Sequence, residues 1–342
     1  MHSAPLSNEQ SRQLIDVAQV YDVYRRAQND AEHGFRATMQ WKKSKGIEYL
    51  YRTTRHKGKA VSRIVGRRSP ETEKLKNTYE IQRRKIRTRV DALRQRLNEM
   101  ARVNRALRLN RIPMLESRIL NALDVEGLLG APLFIVGTNA LYAYELRAGV
   151  LISSALLATA DLDLLFDHRR LSLVVSDKTA TSGILGLLKD IDSTFERVGP
   201  RGFRAANDTG FLVDLIQPIE RGLRKKLPAT LGRNEEDLYA VEIAGLEWLI
   251  HSPKISEMVI GHDGRPLTMS CIDPRAFALH KMWVSERPDR DPKQKVRDRA
   301  QAECVAELCD GMSLSFNDKI LSSLPAPLRA ARQRLSQTVK AR

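Results

Sequence analysis

The sequence contains few cysteines, and their spacing is not that of a zinc site. Cys271, Cys304 and Cys309 are the three cysteines among 342 residues. An odd number without a metal-binding pattern favours a reducing compartment over a disulfide framework. Free cysteines of this kind are mostly small buried apolar side chains. We therefore expect a cytoplasmic protein in which all three thiols are buried.

The sequence also lacks a long apolar run. A membrane-spanning helix needs about 20 consecutive apolar residues, and the longest candidates, at 128–136 and 150–160, are interrupted by polar or small residues. The first residues contain no basic stretch that leads into an apolar one, so nothing marks them as a secretion signal. We expect no membrane partner, and the hydrophobic residues, 42% of the chain, are enough for a sizeable core.

Acidic residues are scarce relative to basic ones in the first third of the chain. Residues 1–125 contain 28 lysines and arginines and 13 aspartates and glutamates, whereas residues 126–342 contain 29 and 28. Nearly all of the net charge of +16 therefore lies in the first third. Such an asymmetry is typical of a basic arm that faces a polyanion, joined to a domain of ordinary charge. The partner we favour for the arm is RNA, with transfer RNA as one candidate.

The arm is expected to be mainly helical. Apolar side chains from Leu14 to Tyr24 recur every three or four residues and predict an amphipathic helix over 8–40. Short β-prone runs on either side of a Lys-Gly-Lys turn predict a small hairpin at 46–65. Ser69 and Pro70 then mark the start of a long helix. Its seam follows steps of four and three residues through Ile86, Val90, Leu93, Leu97, Met100, Asn104 and Leu107.

Two features of this long helix leave alternatives open. The seam predicts either a homodimeric coiled coil or a helical hairpin within one chain. Arginines and lysines cover the remaining surface, and charge runs are often only a solvated face. Their density favours a nucleic-acid surface, because such a helix repels itself unless a polyanion or an acidic protein partner neutralises it.

The rest of the chain alternates between apolar strands and helical patterns. We expect strands at 131–136, 159–167 and 171–175, helices at 116–129 and 183–195, and a hairpin formed by 202–205 and 210–216. From Leu238 onward the chain is expected to be mostly helical, apart from a hairpin that turns at 262–264.

Three acidic residues interrupt the apolar strands. Successive side chains of a strand alternate between its faces, so Asp161 and Asp163 project to one side and Leu162 to the other. Two carboxylates on one face repel each other unless a cation lies between them, and Mg²⁺ is the natural candidate. Asp214 interrupts a later apolar strand in the same way. Three acids on one sheet suit two metal ions that catalyse phosphoryl transfer.

A glycine turn supplies a candidate phosphate site. Gly137 and Thr138 lie where a buried strand turns into a helix, so backbone N–H groups at the positive end of the helix face a ligand anion. Gly137 allows close approach of a phosphate, and Thr138 adds a hydroxyl donor. The turn has neither the Gly-Lys-Ser/Thr of a Walker A loop nor the glycine spacing of a dinucleotide fingerprint.

These motifs resemble those of the DNA polymerase β-like nucleotidyltransferase superfamily. Val-Gly-Thr-Asn-Ala at 136–140 with Thr-Ala-Asp-Leu-Asp-Leu at 159–164 is most similar to bacterial members akin to the abortive-infection toxin type. The resemblance covers 131–216 well and extends loosely to the segment around Lys281 and to Arg287, Lys295 and Asp298. The family has serine where this chain has Thr138, a change that keeps the hydroxyl.

The resemblance implies a set of site residues. Asp161 and Asp163 would bind both metal ions, Mg²⁺ or Mn²⁺, and Asp214 would complete the metal site at the attacking hydroxyl. Thr138 would hold a nucleoside triphosphate, together with Gly137, Asn139 and Lys281. For Lys281, a lysine that merely reaches solvent from an apolar surface is an equal alternative. Lys295 and Asp298, three residues apart, equally predict a local ion pair.

Together the patterns predict an α/β (α+β) protein. A basic helical arm with a small hairpin at 1–120 precedes a nucleotidyltransferase core with a small mixed sheet at 121–225. A mainly helical region at 226–342 follows and closes the nucleotide cleft. The expected reaction moves a nucleoside monophosphate to an acceptor hydroxyl, preferably of RNA. An enzyme of the same fold that modifies a protein or a small molecule, and a catalytically inactive nucleic-acid-binding protein, remain rivals.

Overall fold

The structure, a computed structural model, describes residues 2–56, 59–167, 169, 177–219, 230–232, 234–316 and 324–340. It divides into two compact units. We call Glu9–Asn110 with Asp263–Pro266 the arm unit, and Met1–Asn8, Arg111–His262 and Leu267–Arg342 the sheet unit. The predicted three-part division at residues 120 and 225 stays a prediction. In the described part of the chain, no helix has the length and apolar character needed to cross a membrane.

The protein has a mixed α+β architecture, as predicted. The helices are α1 (Asn8–Asn29), α2 (Pro70–Ala106), α3 (Met114–Val125), α4 (Leu141–Ala148), α5 (Ser154–Leu157), α6 (Asp177–Ile191), α7 (Leu246–His251), α8 (Pro274–Ser285), α9 (Pro292–Gly311) and α10 (Ala326–Lys340). The strands are β1 (Ser3–Pro5), β2 (Thr38–Ser44), β3 (Ile47–His56), β4 (Lys59–Arg67), β5 (Leu133–Val136), β6 (Val150–Ile152), β7 (Asp161–Phe166), β8 (Glu196–Arg197), β9 (Arg204–Ala206), β10 (Leu212–Pro218), β11 (Val241–Ile243), β12 (Lys254–Ile260) and β13 (Pro266–Ile272).

The long helix α2 of the arm unit begins where the sequence predicts. Ser69 caps it: the Ser69 hydroxyl accepts a hydrogen bond from the Thr72 N–H, while the Thr72 hydroxyl accepts one from the Ser69 N–H. The seven seam residues are all buried or half-buried, and the basic residues on the rest of the helix surface are mostly exposed. The predicted seam therefore packs against another element.

Helix α1 of the same chain covers the C-terminal part of this seam. The Gln13 side chain donates to Asn104 Oδ1 at 2.8 Å, and the Gln10 side chain donates to the Leu107 carbonyl at 3.0 Å. The two helices are therefore antiparallel. Asn104, the polar member of the seam, is fully buried and donates to the Gly264 carbonyl at 2.7 Å. The seam thus packs within one chain against an antiparallel helix, but α1 and α2 are separated by β2, β3 and β4 and do not form a simple helical hairpin. A homodimer stays a prediction.

The first helix and the hairpin of the arm differ from the sequence prediction. Helix α1 ends at Asn29 and is followed by a π-helical turn, Asp30–Gly34, so the prediction of helix as far as residue 40 was wrong. Residues 38–44 instead form β2, which adds a third strand to the predicted hairpin of β3 and β4. The reason is packing: Trp41 of β2 lies opposite the fully buried Leu50 of β3.

The sheet unit is built on an eight-stranded mixed sheet in the order β12, β13, β5, β7, β10, β9, β8, with β11 paired to β10. At its centre β7 is antiparallel to β5 and parallel to β10. The predicted strands at 131–136 and 159–167 and both later hairpins are confirmed, whereas the strand predicted at 171–175 lies outside the described residues. The region after Leu238 contains three strands as well as helices.

Helices α4 and α8 pack together beside this sheet. The Tyr144 hydroxyl of α4 donates to the Ile272 carbonyl at 2.8 Å, and its ring meets the Phe277 ring of α8 edge-on at 5.4 Å between centroids. The residues of β5 are all buried. This packing fixes the carboxyl end of β5, where the glycine turn begins.

Candidate functional site

The two acids of β7 lie on one face of the sheet. Asp161 and Asp163 are half-buried, while Leu162 between them is fully buried on the opposite side. The Thr159 hydroxyl donates to Asp161 Oδ1. The alternation of a strand therefore places both carboxylates together, as the sequence pattern predicts.

The structure brings Asp214 to the same place. Strands β7 and β10 are parallel neighbours, and Asp214 lies directly opposite Asp163 in their register. On the other side of β7, Val136 at the end of β5 is paired with Asp163. Asp163 is thus the central acid, between the end of β5 and the third carboxylate on β10.

The electrostatics of Asp163 reflect this crowding. Its pKa is raised to about 7, first by burial and then by the negative charges of Asp161 and Asp214. The positive charges of Lys281 and Arg204 act in the opposite direction and offset part of the increase. The three carboxylates therefore form an electronegative centre that the neighbouring cations only partly neutralise.

Gly137 is required by its position against Asp163. Its φ of 64° lies in the left-handed region that side chains with a Cβ rarely adopt. A Cβ at this position would lie 2.2 Å from Asp163 Oδ2. The chain then enters a 3-10 turn, Thr138–Ala140, that leads into α4. The backbone of the turn therefore lies directly beside the central carboxylate.

Thr138 and Asn139, the next predicted phosphate ligands, are both buried. Arg297 and Gln301 of α9 each donate to the Thr138 hydroxyl at 3.2 Å, which leaves the hydroxyl proton available for donation. The Asn139 side chain donates to the Asp161 carbonyl at 2.7 Å, so it ties the turn to β7. Asn139 therefore positions the acidic strand.

Lys281, predicted to contact the nucleotide, belongs to a charged group on α8 and α9. Its ammonium donates to Asp298 at 2.6 Å, and Arg290 donates to the other oxygen of Asp298 at 2.8 Å. Asp298 thus pairs with Lys281 and Arg290, whereas the sequence also allowed a local pair with Lys295. Asp298 holds two cations beside the site.

A cavity of about 350 Å³ opens next to these residues. Gly137 and Asp163 line it, as do the cations Lys281, Arg287 and Arg290. The remaining wall is largely apolar, formed by Val136, Ile216, Ile243, Ala244, Leu246, Leu249, Ile272, Phe277, Trp283 and Val284, with His280 and Asp289. A small apolar cavity with a few charged groups is the usual form of a ligand site.

Sequence reasoning did not identify Arg204. Its guanidinium donates to both oxygens of Asp214, at 2.7 and 2.6 Å. Arg204 lies on β9 directly opposite Asp214 in the antiparallel hairpin of β9 and β10. The predicted hairpin was the available signal, but the exact pairing of the two strands was needed to place this arginine.

The acidic residues of the site are candidate ligands for Mg²⁺ or Mn²⁺. Both ions prefer carboxylate oxygens, which Asp161 and Asp163 supply on one strand face. Among the described residues, no group of three or more aspartate, glutamate, histidine and cysteine side chains is arranged as a metal centre. Arg204 engages both oxygens of Asp214. The residues therefore fit a cation held by two carboxylates and by substrate phosphates.

Comparison with known protein families gives one match. Residues 115–324, more than half of the chain, match the model of a family described as Nucleotidyltransferase. The matched range includes the glycine turn, the three acids and Lys281. No curated protein and no solved structure matches the chain.

Proposed function

The chain belongs to the nucleotidyltransferase family, and from this premise we propose that it transfers a nucleoside monophosphate from a nucleoside triphosphate to a hydroxyl of RNA, with Mg²⁺ or Mn²⁺ as cofactor. Its glycine turn and Asp-Leu-Asp strand support a place in the DNA polymerase β-like superfamily, near the abortive-infection toxin type. One observation carries the proposal. Asp163 contacts the Gly137 turn, lies opposite Asp214 and lines the cavity.

The charged part of the cavity is suited to the triphosphate. Lys281, Arg287 and Arg290 line it, and Lys281 and Arg290 are held in position by Asp298. Thr138 follows the cavity residue Gly137 but does not itself line the cavity; its hydroxyl retains a proton to donate to a phosphate oxygen. Cations fixed before the substrate arrives stabilise developing negative charge without reorganisation.

The apolar part of the cavity is suited to the base. Trp283, Leu246 and Ile216 all line it, and the Arg287 guanidinium carbon lies 5.2 Å from the centroid of the Trp283 ring. His280 Nδ1 is buried and has no partner among the described residues. Burial lowers the pKa of His280 to about 3, so the imidazole is neutral and can form a hydrogen bond with the edge of a base.

The chemistry is an in-line displacement. The acceptor oxygen bonds to the α-phosphorus, the bond to the oxygen bridging to the β-phosphate breaks, and pyrophosphate leaves with that oxygen. A divalent cation, when bound at Asp161 and Asp163, supplies neutralisation of the charge on the triphosphate. Asp214, oriented by Arg204, accepts the proton of the attacking hydroxyl.

Labelling with radioactive nucleoside triphosphates, Mg²⁺ and total RNA tests this function. We expect wild type to label RNA and Asp163→Asn to label it at least about 100-fold more slowly, since the central acidic ligand is lost. Asp208→Asn is the matched control, because Asp208 is exposed in the turn between β9 and β10. The control should label RNA at the wild-type rate.

The fate of the label identifies the acceptor. Label that ribonuclease removes supports RNA, whereas label that only protease removes supports a protein acceptor and rejects RNA. If wild type and Asp163→Asn label equally, the acidic centre is not the site of transfer and the proposed mechanism is wrong.

A further inference from the structure

The three-stranded sheet of the arm unit has an open face that carries two tyrosines. In its register Lys42 lies opposite Tyr49, and Tyr49 opposite Arg67. In the next row Gln40 lies opposite Tyr51, and Tyr51 opposite Ile64. Residues that lie directly opposite each other project to the same side, and a register shift in β4 between the partners of Leu50 and Tyr51 lets both Ile64 and Arg67 do so. We call the side that carries these six residues the tyrosine face. The fully buried Leu50 projects to the other side.

The tyrosine face is accessible. Gln40, Lys42 and Arg67 are exposed, and Ile64, an apolar residue, is 60% exposed. Tyr49 and Tyr51 are half-buried, as expected of rings that lie against a sheet. Two aromatic rings and an exposed isoleucine side by side are unusual on a solvated surface, and such patches mark binding sites.

A cation lies over the face of each ring. Lys42 Nζ lies 5.1 Å from the centroid of the Tyr51 ring, and the Arg67 guanidinium carbon lies 5.9 Å from that of Tyr49. Residues 38–67 contain nine lysines and arginines and a single acidic residue, Glu48. Glu48 is paired with Arg68 at 2.7 Å. The surface is therefore strongly positive and complements a polyanion.

We propose that the tyrosine face binds a single-stranded segment of nucleic acid. Bases stack on Tyr49 and Tyr51 in place of Arg67 and Lys42, which lie over these rings in the unbound protein and turn to the phosphates on binding. The two rings are two residues apart on one strand, so they are about 6–7 Å apart, a spacing that suits successive unstacked bases. A duplex keeps its bases stacked inside and offers no base face to such a surface. The inference rests on the proposed RNA acceptor and locates part of its binding site.

Binding of fluorescently labelled oligonucleotides to the full chain, without nucleoside triphosphate or divalent cation, tests this inference. Single-stranded RNA is compared with single-stranded DNA and with duplex RNA of equal length. Tyr49→Ala with Tyr51→Ala should weaken single-strand binding about 10-fold or more, because stacking is lost. Tyr49→Phe with Tyr51→Phe should retain binding, since the rings remain. Circular dichroism checks that each variant is folded.

Two double variants that remove the same charge distinguish binding at the tyrosine face from nonspecific electrostatic attraction. Lys42→Gln with Arg67→Gln removes two cations from the tyrosine face. Lys43→Gln with Arg63→Gln removes two exposed cations from the same strands on the other side. The first pair should weaken binding more and reduce its salt dependence, since counterion release follows phosphate contacts. This comparison stands even if the alanine variant does not fold.

Several results would overturn the inference. The first is an equal loss of affinity in the two charge variants, and the second is duplex RNA bound as tightly as single strands. The third is displacement of the oligonucleotide by an acidic peptide at equal charge concentration, which would indicate a protein partner. Equal affinity for single-stranded RNA and DNA supports stacking. A preference for RNA supports stacking together with a contact to the ribose. Oligonucleotide binding is measured without nucleoside triphosphate or divalent cation, and transfer by RNA labelling, so failure of this inference is distinct from failure of the transfer reaction.

Discussion

Gly137 and Asp163 show how one residue of the site depends on another. The carboxylate occupies the space into which a side chain at position 137 would project. The positive φ of Gly137 lets the chain turn there from β5 into the 3-10 turn. Glycine at position 137 therefore allows the turn and also leaves the space that the Asp163 carboxylate occupies.

Gly137→Ala is predicted to abolish nucleotide transfer and to lower the free energy of unfolding by about 1–3 kcal/mol, because a Cβ there is strained and displaces Asp163. Urea unfolding and the RNA labelling rate measure the two effects. Gly149→Ala is the control: its φ is 67°, yet nothing lies within 4 Å of the added Cβ. The control should lose about 1 kcal/mol and keep its activity. Equal loss of activity in both variants would contradict the specific role of Gly137.

The elements of the site were largely predictable from local sequence. The alternation of acid and leucine in β7 predicts that Asp161 and Asp163 share a face, and a turn pattern around Asn207 predicts the hairpin of β9 and β10. Both expectations agree with the structure. Local periodicity suffices in these cases because each element is continuous in sequence.

The pairing between elements was not predictable in the same way. That Asp214 lies opposite Asp163 depends on β7 and β10 being parallel neighbours, a relation set by packing between distant segments. The partner of Arg204 depends on the turn, in which the Asn207 side chain accepts from the Phe211 N–H at 2.8 Å. The sequence likewise predicted the seam of α2 but did not identify α1 as its partner.

Glu145 couples α4 to its neighbours and makes stability depend on pH. It is 1% exposed, accepts from the Ile152 N–H at 2.6 Å, and pairs with Arg111 at 3.0 Å. Burial is the main cause that raises its pKa to about 7, and Arg111 offsets part of the effect. Between the ordinary glutamate pKa and 7 the folded state therefore binds more protons than the unfolded state. The stability from this group is complete below that window and is lost as pH rises through it.

Glu145→Gln removes this dependence. As pH rises from 5 to 7.5, the free energy of unfolding of wild type should fall relative to that of Glu145→Gln, by on the order of 2 kcal/mol. Urea unfolding of both proteins at several pH values measures the difference. Parallel pH profiles would show that the Glu145 carboxyl does not gain a proton on folding.

At the scale of the whole molecule, the chain combines two units of different charge character. The sheet unit contains the acidic centre and all of the family match except residues 263–266, while the basic excess lies in the first third of the sequence. A basic unit raises the local concentration of a polyanionic acceptor, and the effect weakens as salt is added. The basic excess is the reason that we propose RNA, and not a small molecule, as the acceptor.

A crystal structure with Mn²⁺ and a non-hydrolysable nucleoside triphosphate tests the central claim most directly. The anomalous signal of Mn²⁺ should lie between the carboxylates of Asp161 and Asp163, with the triphosphate against Thr138 and Lys281. Asp163→Asn, crystallised in the same way, should lose the signal. Mn²⁺ bound elsewhere, or a nucleotide outside the cavity beside Gly137, would contradict the assignment of this site.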